Sequence, residues 1–262
     1  MADESLIAVF VDFENLAIGV SDMKPKATDF RVDLVLKRLL EKGRIVFKRA
    51  YCDWSNYQGA VRDFHARGIE LVDIPRKRAS GKNSADIRMV VDAMDLCYSK
   101  THIDTFALLS GDSDFSPLVS KLKENRKRVI GCGVRTSTSD LLVSRCDEFI
   151  FYDDLVNAAR RSEESRRPRK QNADQHAADQ HKDTAVDQLL DIVQSLAGDY
   201  DPLWGSIIKQ TMRRVNPGFN EAHFGYGSFW ELIKDAEKRG LIAVEFDEAR
   251  GNCKVRLKDA PR

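Results

Sequence analysis

The chain has 262 residues, 42% hydrophobic and 32% charged, with 42 Lys+Arg against 41 Asp+Glu for a net charge of +1. This is the composition of one large or two small globular domains, and it excludes wholesale disorder, collagen and coiled coil. No apolar run nears the roughly 20 residues of a membrane helix, and the acidic start Met1-Ala2-Asp3-Glu4 lacks the basic flank of a signal peptide, so a cytoplasmic protein without membrane attachment is expected.

In chain order, strand-length apolar runs fall at Leu6–Val11, Ile45–Tyr51, Ile69–Ile74, Phe106–Leu109, Val129–Val134 and Phe149–Tyr152. Helical patterns lie between several of them, at Val32–Leu40, Tyr57–Ala66, Ala85–Tyr98 and Pro117–Glu124. Near-continuous apolar strands separated by amphipathic helices predict an α/β domain, a Rossmann-like parallel sheet covered by helices on both faces. Ser116-Pro117 predicts a helix start, with a capping hydroxyl before a proline at the first helical position. This first domain is set at residues 1–159, where 24 basic and 24 acidic residues cancel.

Residues 160–183 contain no Val, Ile, Leu or aromatic residue. They cannot bury enough surface to fold and are expected to be a disordered linker. Its head is basic, at Arg160, Arg161, Arg166, Arg167, Arg169 and Lys170, and its His176 and His181 receive no ligand role. Residues 184–262 form a second domain of net charge −1. There Val186–Leu196 and Leu203–Val215 read as helices. Ser228-Phe229-Trp230-Glu231 is a capping box opening a third helix, which Arg239-Gly240 stops after Lys238. Leu241–Phe246 and Cys253–Leu257 follow as strands around a turn at Glu248–Asn252. Three helices and a β-hairpin make a winged-helix pattern, an architecture that does not by itself fix a function.

Ligands of open α/β sheets bind beyond the carboxyl ends of the strands. Here the first strand runs into Asp12-Phe13-Glu14-Asn15, and the fourth into Ser110-Gly111-Asp112-Ser113-Asp114. Asp86 opens the Ala85–Tyr98 helix and shares a stripe with Met89, Val90 and Ala93. Taken singly, each aspartate reads as a turn or capping residue. Converging, they repel: two like charges ~4 Å apart cost about 4 kcal/mol at an effective dielectric of 20. A divalent cation relieves that, and an oxygen-only donor set favours Mg²⁺ or Mn²⁺ over Zn²⁺. Such an ion can activate water and hold a phosphate oxygen. Asp92 and Asp95 read as solvated helix charges.

Arg76-Lys77-Arg78, Ser80 and Lys82 form a basic loop ahead of the Asp86 helix, suited to a phosphodiester or simply to solubility. Tyr51, Trp54 and Tyr57 could stack on unpaired bases or form a helix-start cluster. Lys209, Arg213 and Arg214 share one helix that could face phosphates. Tyr226 reads as more exposed than Phe229, which is assigned to the core. The cysteines, Cys52, Cys97, Cys132, Cys146 and Cys253, form no C-x-x-C pair and are expected to be buried free thiols. No phosphate-binding G-x-x-x-x-G-K-[ST], no G-x-G-x-x-G after a strand and no G-x-S-x-G elbow occurs. Gly131-Cys132-Gly133 sits inside a strand.

Val11-Asp12-Phe13-Glu14-Asn15-Leu16, then Lys82-x-x-x-Asp86-Ile87 with Val91-Asp92-Ala93-Met94, then Ser110-Gly111-Asp112-Ser113-Asp114-Phe115-x-Pro117-Leu118 resembles the NYN domain of the PIN-like ribonucleases, over about residues 5–155. The resemblance implies a metal-dependent endoribonuclease. It implies Asp12, Asp86, Asp112 and Asp114 as ligands of Mg²⁺ or Mn²⁺, Asn15 orienting a ligand or phosphate, and Lys82 facing the RNA backbone. Glu14 matches less well. Phe224-Gly225-Tyr226-Gly227-Ser228-Phe229-x-x-Leu232-Ile233, with Trp204-Gly205-Ser206-Ile207-Ile208-Lys209 upstream, resembles an OST-HTH (LOTUS) domain over about residues 184–258. That implies RNA binding, with structured or G-rich RNA as a candidate. The rival readings are a non-catalytic RNA-binding adaptor and a phosphatase using Asp12 as nucleophile. Whether the chain forms a homodimer is left open.

Overall fold

Six of the apolar runs become one sheet: β1 (Leu6–Asp12), β2 (Arg44–Cys52), β3 (Glu70–Asp73), β4 (Thr105–Leu109), β5 (Arg128–Gly133) and β6 (Glu148–Phe151). The structure, a computed structural model, describes residues 4–23, 29–75, 84–165, 176–248 and 250–258. All neighbouring strands of this sheet are parallel, in the order β3-β2-β1-β4-β5-β6. Among the described residues, seven helices follow or join them: α1 (Phe13–Ser21), α2 (Val32–Lys42), α3 (Gln58–Ala66), α4 (Ser84–Ser99), α5 (Ser116–Glu124), α6 (Asp140–Arg145) and α7 (Tyr152–Ser165).

Both faces of the sheet are covered, which is why its central strands are apolar without alternation. Ile7, Val9 and Val11 point to one face and pack with Leu16, Val35, Leu39 and Phe64 of α1 to α3. Ala8 and Phe10 point to the other and pack with Met89 and Ala93 of α4 and Leu118 and Leu122 of α5. Because side chains alternate along a strand, Asp12 continues the Ala8–Phe10 row, toward α4.

The chain divides into two compact units, Met1–Arg167 and Pro168–Arg262. The second unit has its own core, including Leu189, Ile208, Met212, Leu232 and Val255. Its elements are α8 (His176–Leu196), β7 (Leu203–Trp204), α9 (Gly205–Val215), α10 (Phe229–Lys238), β8 (Ile242–Asp247) and β9 (Asn252–Leu257), with an antiparallel sheet ordered β7-β9-β8. Leu203 and Trp204 are not helical as expected; they pair with Val255 and Lys254. Ser228 Oγ accepts from the Glu231 amide and caps α10.

Two further expectations fail. Residues 160–165 belong to α7 and 176–183 to α8, so the span read as a disordered linker is helical at both ends. Its poverty in apolar residues limits core burial. It does not stop a helix already anchored by Tyr152 and Val156, or by Leu189 and Val193, from extending through Arg, Glu, Ala and Gln, which favour helix and need no new nucleus. Arg166, Arg167, Arg169 and Lys170 lie outside the described residues. Nor does Ser116 cap α5: the helix is preceded by a single 3₁₀ turn at Ser113–Phe115, and the side chain that caps that turn is Asp112.

Cys52, Cys97, Cys132 and Cys253 are buried free thiols and Cys146 is half-buried. Among the described residues no helix is long and apolar enough to cross a membrane.

Candidate active site

The strand order reverses at β1, which has β2 and β3 on one side and β4, β5 and β6 on the other. Such a switch point leaves a crevice beyond the carboxyl ends of the two central strands. Val11 pairs with Leu109, so the next residues, Asp12 and Ser110, emerge side by side on the α4 face.

Hydrogen bonds tie the two strand ends together. Ser110 Oγ donates to Asp12 Oδ2 at 2.8 Å, and the Asp112 amide donates to Ser110 Oγ at 3.2 Å. The Asn15 amide donates to Asp12 Oδ1 at 3.3 Å, so Asp12 also caps α1. The Asn15 side chain in turn reaches the other loop, its Oδ1 accepting from the Gly111 amide at 2.8 Å. Asp112 Oδ1 accepts from the Asp114 amide at 2.9 Å. Gly111 has no room for a side chain: a Cβ there would lie 2.6 Å from the Ser137 carbonyl oxygen and 2.8 Å from Thr138 Cα. The sequence motif contains Ser110, but nothing in it marks that serine as the residue holding Asp12.

Asp12 is 7% exposed and Ser110 fully buried. Burial, the largest cause, pushes the Asp12 carboxyl up to about 7. The Ser110 and Asn15 hydrogen bonds oppose that rise, while Asp86 and Asp112 add to it by repulsion. Asp86, in the first turn of α4, is half-buried. Its carboxyl is also raised, first by burial and then by Asp112, Asp114 and Glu14. Five carboxylates from β1, α1, α4 and the turn after β4 thus act on one another at the switch point. As placed, no three His, Cys, Asp or Glu side chains among the described residues are gathered tightly enough to hold a metal ion.

A family model for the NYN domain matches residues 6–154. The chain belongs to the NYN domain family. That makes its first unit a PIN-like nuclease domain by family. A relative, an uncharacterized protein of Methanocaldococcus jannaschii, is 28% identical over 167 residues, covering 64% of this chain and 63% of the relative. The chain therefore spans less than two thirds of that protein's length. A crystal structure of a protein of unknown function from Vibrio parahaemolyticus RIMD 2210633 superimposes with a TM-score of 0.51 at 26% identity, over 59% of this chain and 97% of that one.

Around the acidic centre of the NYN domain, several residues sit differently from their sequence expectation. Asp92 is not a solvated charge: its carboxylate accepts from Tyr51 Oη, Arg49 Nη1 and Arg88 Nε, each at 2.9 Å. Asp95 is exposed, as expected. Tyr51 and Trp54 are buried, and Trp54 packs on Phe13 and Phe64, which assigns them to the core instead of to bases. Arg76, Lys77, Arg78, Ser80 and Lys82 lie outside the described residues.

The second unit brings one reversal. Tyr226 is 5% exposed, with its hydroxyl donating to Asp235 Oδ2 at 2.6 Å. It is as buried as Phe229 and cannot present its ring to RNA. Lys209 and Arg213 both approach Glu221, at 3.4 and 3.8 Å, and Arg214 Nη2 donates to Thr211 Oγ1 at 3.2 Å.

Proposed function

We propose that the protein is a metal-dependent ribonuclease whose chemistry resides at Asp12, Asp86, Asp112 and Asp114. The observation that carries this reading is Asp12: a buried carboxylate, braced by Ser110 and Asn15, facing further carboxylates across the switch point. An oxygen-only donor set under mutual repulsion fits a hard divalent ion, Mg²⁺ or Mn²⁺. Such an ion would supply charge stabilisation at a scissile phosphate and lower the pKa of an attacking water. The chain's own part is to orient Asp12 and oppose its protonation through Ser110, to fix the loop after β4 through Asn15, and to present Asp86 from α4.

For the second unit the reading is an RNA-binding winged helix of the LOTUS kind, supported by three helices and an antiparallel three-stranded sheet. Its aromatic surface is not Tyr226. Trp230 and Phe246 are exposed at 36% and 54%, their rings are 5.6 Å apart, and Lys234 Nζ lies 5.1 Å from the Trp230 ring. Exposed rings beside a cation suit base stacking and phosphate contact.

Purified protein incubated with mixed RNAs should cut them with Mn²⁺ and not with EDTA. Asp12→Asn should abolish cutting, since it removes a ligand charge and keeps the shape. Equal cutting by Asp12→Asn would assign the activity elsewhere. Metal-independent binding without cutting would favour the adaptor.

A further inference from the structure

Helix α4 is apolar on two opposite sides. One side, with Met89, Ala93 and Cys97, is buried in the core that Ala8 and Phe10 of β1 share. The other carries Ile87, Val91 and Tyr98, which are 63%, 57% and 65% exposed, with the half-buried Met94 between the last two. Successive members of this set are three or four residues apart, so they form one stripe, about 17 Å long. A surface helix needs one apolar stripe, the one that faces its core. A second stripe of bulky side chains in water marks a contact surface.

The exposed stripe has a hole at one end and a knob at the other. Ile87 and Val91 line a groove of about 690 Å³, together with Pro117 at the start of α5 and Leu141 of α6. At the far end stands the Tyr98 ring, whose hydroxyl takes a 3.5 Å contact from Asn125 Nδ2. Two opposite charges flank the stripe on one side. Arg88, whose side chain is 58% exposed, and the exposed Asp95 are two helical turns apart and share that flank.

We propose that this stripe is the contact between two copies of the chain, packed α4 against α4 in antiparallel fashion about a two-fold axis that passes between Val91 and Met94. Such a contact is isologous: what each copy offers at one end it meets at the other. Ile87 faces Tyr98 of the second copy, Val91 faces Met94 of the second copy, and each Tyr98 ring enters the groove beside the other copy's Ile87. The same axis brings Arg88 of each copy alongside Asp95 of the other, because residues on one flank meet across it. Parallel packing would set Arg88 against Arg88 and leave both grooves empty. The face is thus complementary to itself in shape and in charge, which favours a second copy over a foreign partner. Tyrosine also suits the groove, whose lining includes Asp86 and Asp114: it is uncharged, its ring is apolar, and its hydroxyl can donate to a carboxylate. Each acidic centre is then bordered by a residue of the other copy. The inference rests on the geometry of α4 and does not depend on the nuclease reading.

Sedimentation velocity of the full chain in EDTA, over a wide range of concentration, reads the association. Wild type should pass from monomer to dimer and no further, since a two-fold contact closes on itself. Val91→Glu, at an exposed position, sets carboxylates in the middle of the contact and should keep the protein monomeric. Its melting temperature should match that of wild type at a concentration where both are monomers, which separates lost association from lost folding. Tyr98→Ala should weaken the dimer about tenfold, as loss of an aromatic anchor does. Charge reversal tests the register. Arg88→Asp or Asp95→Arg alone should weaken the dimer about tenfold, because each puts two like-charge contacts into it, and the double variant should recover the wild-type association. Four results would each overturn the proposal: wild type monomeric at every concentration, growth beyond a dimer, a dimer indifferent to Val91→Glu, or a double variant that fails to recover. The first would leave the stripe to a different molecule, and the third would place the contact between copies on another surface.

Discussion

Ser110 Oγ, fully buried, donates to Asp12 Oδ2 at 2.8 Å and so bridges the carboxyl ends of β4 and β1. The same oxygen accepts from the Asp112 amide, which makes one hydroxyl the joint between the two acidic segments. It also keeps Asp12 more acidic than burial alone would allow.

Removing that joint should cost more when Asp12 is charged. Ser110→Ala strips a charge-assisted donor from a buried carboxylate and an acceptor from the Asp112 amide. The expected loss is about 1–3 kcal/mol at pH 8, and less at pH 5, where a protonated Asp12 needs the donor less. Urea unfolding in EDTA at the two pH values measures the difference. Equal losses at both would mean that Ser110 contributes packing alone.

Asp12 itself makes the metal-free fold sensitive to pH. Its folded pKa is raised to about 7, above the unfolded value of about 3.9, so between those values the folded state binds more protons. Stability from this group is therefore full below about pH 4 and is lost as pH rises through 7, by an amount on the order of 4 kcal/mol. Asp12→Asn cannot titrate and should lack this loss. Its amide nitrogen has to face either Ser110 or the Asn15 amide, which adds a constant cost, so the slope is compared and not the offset. Melting curves in EDTA from pH 5 to 8 should converge or cross toward high pH; parallel curves would mean that Asp12 is not a strained carboxylate.

Much of this was legible in the sequence, because it depends on periodicity. The six strands are near-continuous apolar runs, and the acidic segments fall where those runs end. Parity carried further: Asp12 lies two residues beyond Phe10 and shares its face. What stayed hidden depends on contacts between segments distant in the chain. Asp92 reads as a helix-surface charge until Arg49 and Tyr51 of β2 are placed beneath it. Tyr226 reads as exposed until Asp235 accepts its hydroxyl. Helix α1 was missed because Phe13–Ser21 begins at the strand end with no break, the cap being Asp12 itself. Helix α6, at six residues, is too short for a periodic pattern.

The separate cores predict that the two units are independent in stability. Cleavage between Arg167 and Pro168 should leave two fragments that each melt cooperatively. If the second unit recruits RNA, the full chain should bind a given RNA more tightly than fragment 1–167 at the same salt, because tethering raises effective concentration. Equal affinities of the two at one salt concentration would remove the recruiting role.

The last prediction concerns Asp112, which acts on both Asp12 and Asp86 by repulsion. In EDTA that repulsion has no cation to offset it, so Asp112→Asn should melt higher than wild type. The substitution retains the structural task, since an amide oxygen can still accept from the Asp114 amide as Asp112 Oδ1 does at 2.9 Å. Mn²⁺ should reverse the order: a metal at 100 times its dissociation constant stabilises wild type by ~2.7 kcal/mol, whereas the variant, missing one ligand charge, should gain much less. Asp95→Asn is the control, an exposed position on α4 where the change should stay within ~0.5 kcal/mol in either condition. Thermal melts of the three proteins with and without Mn²⁺ separate the outcomes. A wild-type melting temperature indifferent to metal, or an Asp112→Asn protein destabilised in EDTA, would make Asp112 a turn cap and nothing more. The acidic crevice would then be a structural feature of an RNA-binding protein and not a catalytic centre.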